Sequence, residues 1–267
     1  MRAPSLPLVA QWIEQSRPKG KMWVRFLPRG YTFRMPYQYA YLLMVGVFGV
    51  VWLSFFILRK DMRHQQLFVS MFTAPLGPVT QILWFYKDYW RPEYVWTVTV
   101  FRVPVGIEEL LFAFFIGGIG SVMYEVVFRK AYRRGHRRIK ATIFIILFVG
   151  VTLSALKVIG WNTVWASSIA LILASVVMIY LDKDLRWDWA MSSVLMFFFV
   201  IAIYLLCFSF FPAIISKFWV PTGLSGFNLL GIPVEELVWF VSWAMFSGVA
   251  YEFTVDAGQY IPLRPAV

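Results

Sequence analysis

Apolar residues run along this chain in long stretches, and short clusters of charged residues separate one stretch from the next. A bilayer core takes roughly 20 consecutive apolar residues per helix. Seven stretches approach that length, at about 37–58, 67–86, 107–128, 140–160, 162–181, 189–211 and 229–253. The pattern predicts an all-α polytopic membrane protein of about seven transmembrane helices, with no soluble domain left over. Composition agrees, because 60% hydrophobic residues with only 15% charge exceed what a water-facing surface tolerates. The single cysteine, Cys207, lies inside the sixth stretch and reads as a small core residue.

Charge gives the chain a predicted orientation, since Lys and Arg accumulate in cytoplasmic loops. The loop at 129–140 holds seven of them, and together with the first loop, the fifth loop and the C-terminal tail that side carries thirteen, against five on the other. The C-terminus and the basic loop are therefore expected in the cytoplasm of a cell-membrane protein. A basic loop joining two membrane spans, without a recognition motif, points to anionic lipid headgroups rather than to nucleic acid. Residues 1–34 break this scheme by adding seven more Lys and Arg on the outer side. They lack the apolar core and small-residue cleavage site of a signal peptide, and Val24-Arg25-Phe26 resembles a translated T-arm of a transfer-RNA gene. The expectation is a non-native or disordered basic leader, with the true start at Met35 and a membrane domain over 35–267. A peptide from 1–34 in natively expressed protein would overturn it.

Three landmarks recur in order. Leu58-Arg59-Lys60-Asp61-Met62-Arg63 matches Leu181-Asp182-Lys183-Asp184-Leu185-Arg186, Ile107-Glu108-Glu109-Leu110 matches Val234-Glu235-Glu236-Leu237, and Tyr124-Glu125 matches Tyr251-Glu252. The expected organisation is two three-helix repeats, at about 37–130 and 162–256, with a connecting helix at about 140–160. Four crossings separate equivalent helices, so the repeats are parallel, related by a pseudo-twofold axis along the membrane normal.

Within the repeats the carboxylates stand out, because an ionisable group in a span costs about 2.5 to 3.5 kcal/mol and is usually functional or paired. The helix dipole favours Glu in a first turn by about 0.3 to 1 kcal/mol, which accounts for one glutamate per helix but hardly for two in both copies. Neighbouring helical residues point about 100° apart, so one member of each pair is free to face the bundle interior. Glu125 lies one turn before Arg129, which predicts an interfacial ion pair. Phe112 and Phe115 share the face of Glu108, and Trp239, Phe240 and Trp243 follow Glu235 and Glu236 within two turns. A carboxyl group in an apolar pocket holds a proton to donate at neutral pH, and an aromatic wall stabilises the cation that donation creates. An acid with an aromatic cage is equipment for carbocation chemistry.

Gly231-Ile232-Pro233-Val234-Glu235-Glu236-Leu237 resembles the P-x-E-E motif of the small integral-membrane lycopene cyclases of the archaeal, actinobacterial and fungal type. That family builds its enzyme from two three-span modules, separate or fused, and the resemblance extends from Met35 to about Ala257. The first copy departs from the motif, with Gly106 where proline is expected and Pro104 two positions early. The resemblance implies a lycopene β-cyclase-like reaction of the intramolecular lyase or isomerase type. An acid protonates the terminal double bond of an acyclic carotenoid, the cation closes a six-membered ring, and a carboxylate removes a proton to leave a β-ionone end. It implies Glu235, Glu236, Glu108 and Glu109 as catalytic residues, with Phe112, Phe115, Trp239, Phe240, Trp243 and Pro233 around the substrate. No cofactor and no metal are expected; the expected partners are the carotenoid, membrane lipid, and other carotenoid-pathway enzymes or further copies of the chain.

Other classes fit the residues less well. The seventh helix has no lysine for a retinal Schiff base, and His64 and His136 fall in predicted loops, away from any intramembrane protease site. Gly117-Gly118-Ile119-Gly120 lies inside a span and reads as a close-packing patch rather than a dinucleotide loop. Asp184 and Asp188 form one D-x-x-x-D, expected to be a solvated loop rather than a diphosphate site. A proton-coupled transporter or binding protein for a hydrophobic isoprenoid is the non-enzyme alternative.

Overall fold

The computed structural model describes residues 35–131, 135, 137–256 and 261–262. Residues 1–34, expected as a basic leader, together with His136, part of the basic loop and most of the C-terminal tail, lie outside the described residues. Seven principal helices follow in order: α1 (Gln38–Leu58), α2 (Arg63–Thr73), α3 (Ile107–Phe128), α4 (Ile139–Val158), α5 (Thr163–Leu181), α6 (Arg186–Phe210) and α7 (Val234–Thr254). Six helical runs are long and apolar enough to cross a membrane, and the protein is an integral membrane protein. The helix α7 is of similar length but carries Glu235, Glu236 and Glu252, and falls outside that set. It packs against α3, α5 and α6, so lipid does not demand apolarity of it on every side.

The order of elements repeats. Each landmark of the L-R-K-D-M-R kind forms a single 3-10 turn, Lys60–Met62 before α2 and Lys183–Leu185 before α6, whose Met62 and Leu185 are buried. The second crossing is less regular than its counterpart α6. After Thr73 it breaks at Ala74-Pro75, resumes over Leu76–Thr80, widens into a π turn at Gln81–Phe85 and ends with Tyr86–Asp88. The prolines at 75 and 78 remove backbone donors, and π turns of this kind are frequent at functional sites. The widened turn lets the buried Gln81 side chain donate to the Trp90 carbonyl and to Tyr94 Oη.

Before α3 the chain forms a β-hairpin where the hydropathy pattern predicts loop, and before α7 it forms a second one over residues that the pattern assigns to the start of the seventh span. Thr97–Val100 pairs with Val103–Gly106, and Asn228–Leu229 with Ile232–Pro233. Both turn through two residues of positive φ, Phe101-Arg102 and Leu230-Gly231, the geometry that matches strand twist in a two-residue hairpin.

The core gathers around α3 and α7. On α3 the Gly117, Gly118 and Gly120 positions admit Thr73, Ser70 and Ser247 so closely that an added Cβ would lie within 2.3 Å of their hydroxyls, so the glycine patch does bring three helices together. The helix α4 is only 11% buried along its most apolar stretch and leans on α5. Three expectations about charge change. Glu125 makes no ion pair with Arg129 among the described residues; Arg129 leaves the helix in a left-handed conformation while Glu125 turns inward and is buried. Asp188 is no solvated loop residue, since it sits fully buried in the first turn of α6. His64 lies in the first turn of α2, not in a loop, and meets Tyr251 Oη at 3.1 Å.

Candidate active site

Each hairpin delivers the chain to a helix whose first turn contains two glutamates, and the helical rotation of about 100° per residue sends the two in different directions. The first of each pair faces back toward the loop. Glu108 Oε1 accepts the Val95 N–H at 3.0 Å, and Glu235 Oε1 accepts the Ser225 N–H at 2.5 Å. Both residues are 0% exposed, and the remaining oxygen of each, Oε2, has no hydrogen-bond partner.

The second of each pair faces the other way and reaches a shared cavity. Glu109 and Glu236 both line an apolar space of about 220 Å³. Their carboxyl groups are held alike. Glu109 Oε1 accepts from Tyr94 Oη (2.8 Å) and Trp90 Nε1 (3.2 Å), while its Oε2 accepts from Tyr41 Oη (3.1 Å). Glu236 Oε1 accepts from Tyr89 Oη (2.6 Å) and Trp219 Nε1 (2.9 Å), while its Oε2 accepts from Tyr204 Oη (2.5 Å). Every carboxyl thus meets one tryptophan and one tyrosine on one oxygen and a second tyrosine on the other. Burial, and next the adjacent Glu109 carboxyl, hold the Tyr94 phenol above its usual range; burial and Glu236 do the same for Tyr89. Both phenols therefore keep their protons.

Two loops bring the donors together. Trp90 and Trp219 meet as an antiparallel bridge with ring centroids 4.3 Å apart. The Arg91 N–H donates to the Phe218 carbonyl and the Val220 N–H to the Tyr89 carbonyl, so the backbones zip the two halves together beside the carboxyl groups.

Aromatic rings line the space between. Phe112, Trp239, Phe240 and Trp243 all line the cavity. Phe112 stacks on Trp239 at 6.3 Å, Trp239 stacks on Trp243 at 6.1 Å, and Phe240 meets Phe112 edge-on at 6.1 Å. Two residues of the expected set lie elsewhere. Phe115 packs against Trp52 and Phe114 and covers Gly49, and Pro233 is buried in the second hairpin at the start of α7. Among the described residues no group of three or more His, Cys, Asp or Glu is arranged to hold a metal ion.

Sequence reasoning missed Tyr41, Tyr89, Trp90, Tyr94, Tyr204 and Trp219. One signal was available: Trp90-Arg91-Pro92 and Trp219-Val220-Pro221 are W-x-P repeats, each lying a few residues before its hairpin. The tyrosines carried no such mark, because Tyr41 and Tyr204 come from non-equivalent helices.

No curated protein and no solved structure matches the chain. The family model described as lycopene cyclase matches residues 31–127 and 160–254, more than half of the chain. The interval between these segments takes in the basic loop and α4, so the family pattern falls on the two halves that each supply one carboxyl group to the cavity. This chain belongs to the lycopene cyclase family.

Proposed function

We propose that the protein catalyses the redox-neutral, proton-initiated cyclisation of acyclic carotenoid end groups, with lycopene as substrate and β-ionone rings as product. The observation that carries this reading is the convergence of Glu109 and Glu236 on one apolar cavity walled by aromatic rings. One carboxylic acid protonates the terminal double bond. The tertiary cation is attacked by the neighbouring double bond, which closes the six-membered ring, and a carboxylate removes a ring proton to restore a double bond. No electrons are gained or lost, and no cofactor is consumed.

The hydrogen bonds suit this work. A tryptophan N–H only donates, whereas a tyrosine hydroxyl donates or accepts. Oε1 of each glutamate, facing tryptophan, is therefore kept as an acceptor. The exchangeable proton belongs on Oε2, where Tyr41 or Tyr204 accepts from the acid and donates to the carboxylate, so the group keeps its place in both states. Phe112, Trp239, Phe240 and Trp243 face the developing cation, each close contact worth up to about 2 kcal/mol when desolvated. In this reading Glu108 and Glu235 are positioning residues that tie the preceding loops to α3 and α7.

The same reading places the basic loop and the C-terminus in the cytoplasm and the carboxyl groups toward the outer face, and treats the two repeats as parallel modules with α4 as connector. The test is expression in bacteria that accumulate lycopene, with the pigments separated by chromatography. Cyclic product that disappears on Glu236→Gln is expected. Unchanged lycopene from well-expressed protein would overturn the enzyme reading in favour of binding or transport.

A further inference from the structure

A second apolar chamber, of about 530 Å³, adjoins the first. It lies between α2 and α4, over α7 and α5, and is lined by Phe68, Phe72, Ile143, Ile146, Phe246 and Ala250 among others. The two chambers have Thr73, Leu76, Val149, Leu171 and Trp243 in common. These five residues form a neck, and one of its walls is fixed by the hydrogen bond from Trp243 Nε1 to the Ile116 carbonyl at 3.2 Å. The side chains of Phe68, Phe72, Ile143 and Ile146 are exposed on the outside of the bundle, so the chamber opens sideways, where lipid lies in a membrane. Its far end is polar, with His64 against Tyr251 and Thr142 against Thr254.

We infer that this second chamber holds the unreacted body of the polyene while one end group sits between Glu109 and Glu236. The inference rests on the cyclase reading and extends it to the mode of binding. From Glu236 to Val255, which lines the far chamber, α7 rises roughly 28 Å at about 1.5 Å per residue. That is close to the hydrocarbon thickness of a bilayer, about 30 Å, and suits a rod-shaped isoprenoid that enters sideways between α2 and α4. The first chamber alone takes an end group and little more. Glu109 and Glu236 line one end of the path, whereas among the described residues no carboxyl group lines the far chamber, the buried Glu125, Asp188 and Glu252 lying outside its wall. Only one end reacts per binding event, so a monocyclic product must leave and return reversed before a second ring forms.

The test uses purified full-length protein with two substrates, lycopene and a shorter acyclic polyene that carries the same end group. Ala250→Trp and, on the facing helix, Ile146→Trp fill the far chamber. Both are expected to lower kcat/KM for lycopene about tenfold or more while leaving the shorter substrate within about twofold, in line with the cost of overfilling a packed site. Equal loss on both substrates, or no loss on either, in both variants would overturn the inference. Binding is read separately from the induced circular dichroism of bound lycopene in Glu236→Gln protein. Loss of that signal on adding Ala250→Trp supports the chamber even if no cyclic product forms in any protein, the result that would sink the cyclase reading alone. A signal that survives the added tryptophan counts against the chamber. Finally, unlabelled lycopene added after one turnover should keep labelled monocycle from becoming bicycle; undiminished labelled bicycle would mean that both ends react without release.

Discussion

The two halves of the molecule reach the same carboxyl geometry from different materials. In the first, all three donors to Glu109 come from the half itself, Tyr41 on α1 and Trp90 and Tyr94 in the loop before the hairpin. In the second, Glu236 takes Tyr204 from α6 and Trp219 from its own loop, but Tyr89 from the loop of the first half. The difference explains why the first motif lacks proline. A Cβ at Gly106 would lie 2.3 Å from the Tyr94 ring and 2.2 Å from the Glu108 carboxyl, so the tyrosine that reaches Glu109 occupies the room a proline ring needs. The second half borrows its tyrosine from the other side and leaves Pro233 undisturbed. The constellation is the same in the two halves, and the positions that supply it are not.

That comparison is open to direct attack. The largest effect is expected from Glu109→Gln and Glu236→Gln, each of which should cut cyclic product by about a hundredfold or more, the scale of an acid-base group. A half whose glutamine variant retained near-normal pigment conversion would be a passive partner, and the equivalence of the two would fail. Next comes Gly106→Pro, which should displace Tyr94 and cost about 1–3 kcal/mol of overpacking, read as a lower melting temperature together with lost conversion. The mirror change, Pro233→Gly, should be far milder.

A smaller and sharper effect concerns Tyr89→Phe, which strips one donor from a buried acceptor at about 1–3 kcal/mol. In a double-mutant cycle it should couple to Glu236→Gln and add independently to Glu109→Gln, although Tyr89 belongs to the first half. Coupling to Glu109 instead would overturn the crossed assignment. The smallest effect is expected from Glu108→Gln and Glu235→Gln. Each keeps an oxygen to accept the loop N–H, so conversion should stay within severalfold of the parent. A loss as deep as that of Glu236→Gln would move the chemistry to the first member of each pair.

Hydropathy located the helices to within a few residues, except in the second crossing, where Pro75 and Pro78 interrupt a run that apolar content alone makes continuous. It missed both hairpins, because Val and Thr at 97–106 read as part of a loop and the apolar residues at 229–233 read as the start of the seventh helix. The acid pairs were legible as pairs, but adjacency in sequence hides a turn of about 100°. Phe115 shows the same limit: about one turn from Phe112 and two from Glu108 in sequence, it packs toward α1 and misses the cavity.

What the amino-acid sequence determined by itself is whatever follows from counting along the chain. Long apolar stretches become membrane helices, because an unpaired backbone group in lipid costs too much to leave exposed, and repeated landmarks mark two halves. Only the tertiary structure decided which glutamate faces the cavity, which tyrosines hold it, and that Tyr89 serves the opposite half. Those contacts join residues up to 147 positions apart. They depend on how α3 and α7 pack and on how two loops zip at Trp90 and Trp219, and no local pattern along the chain carries that information.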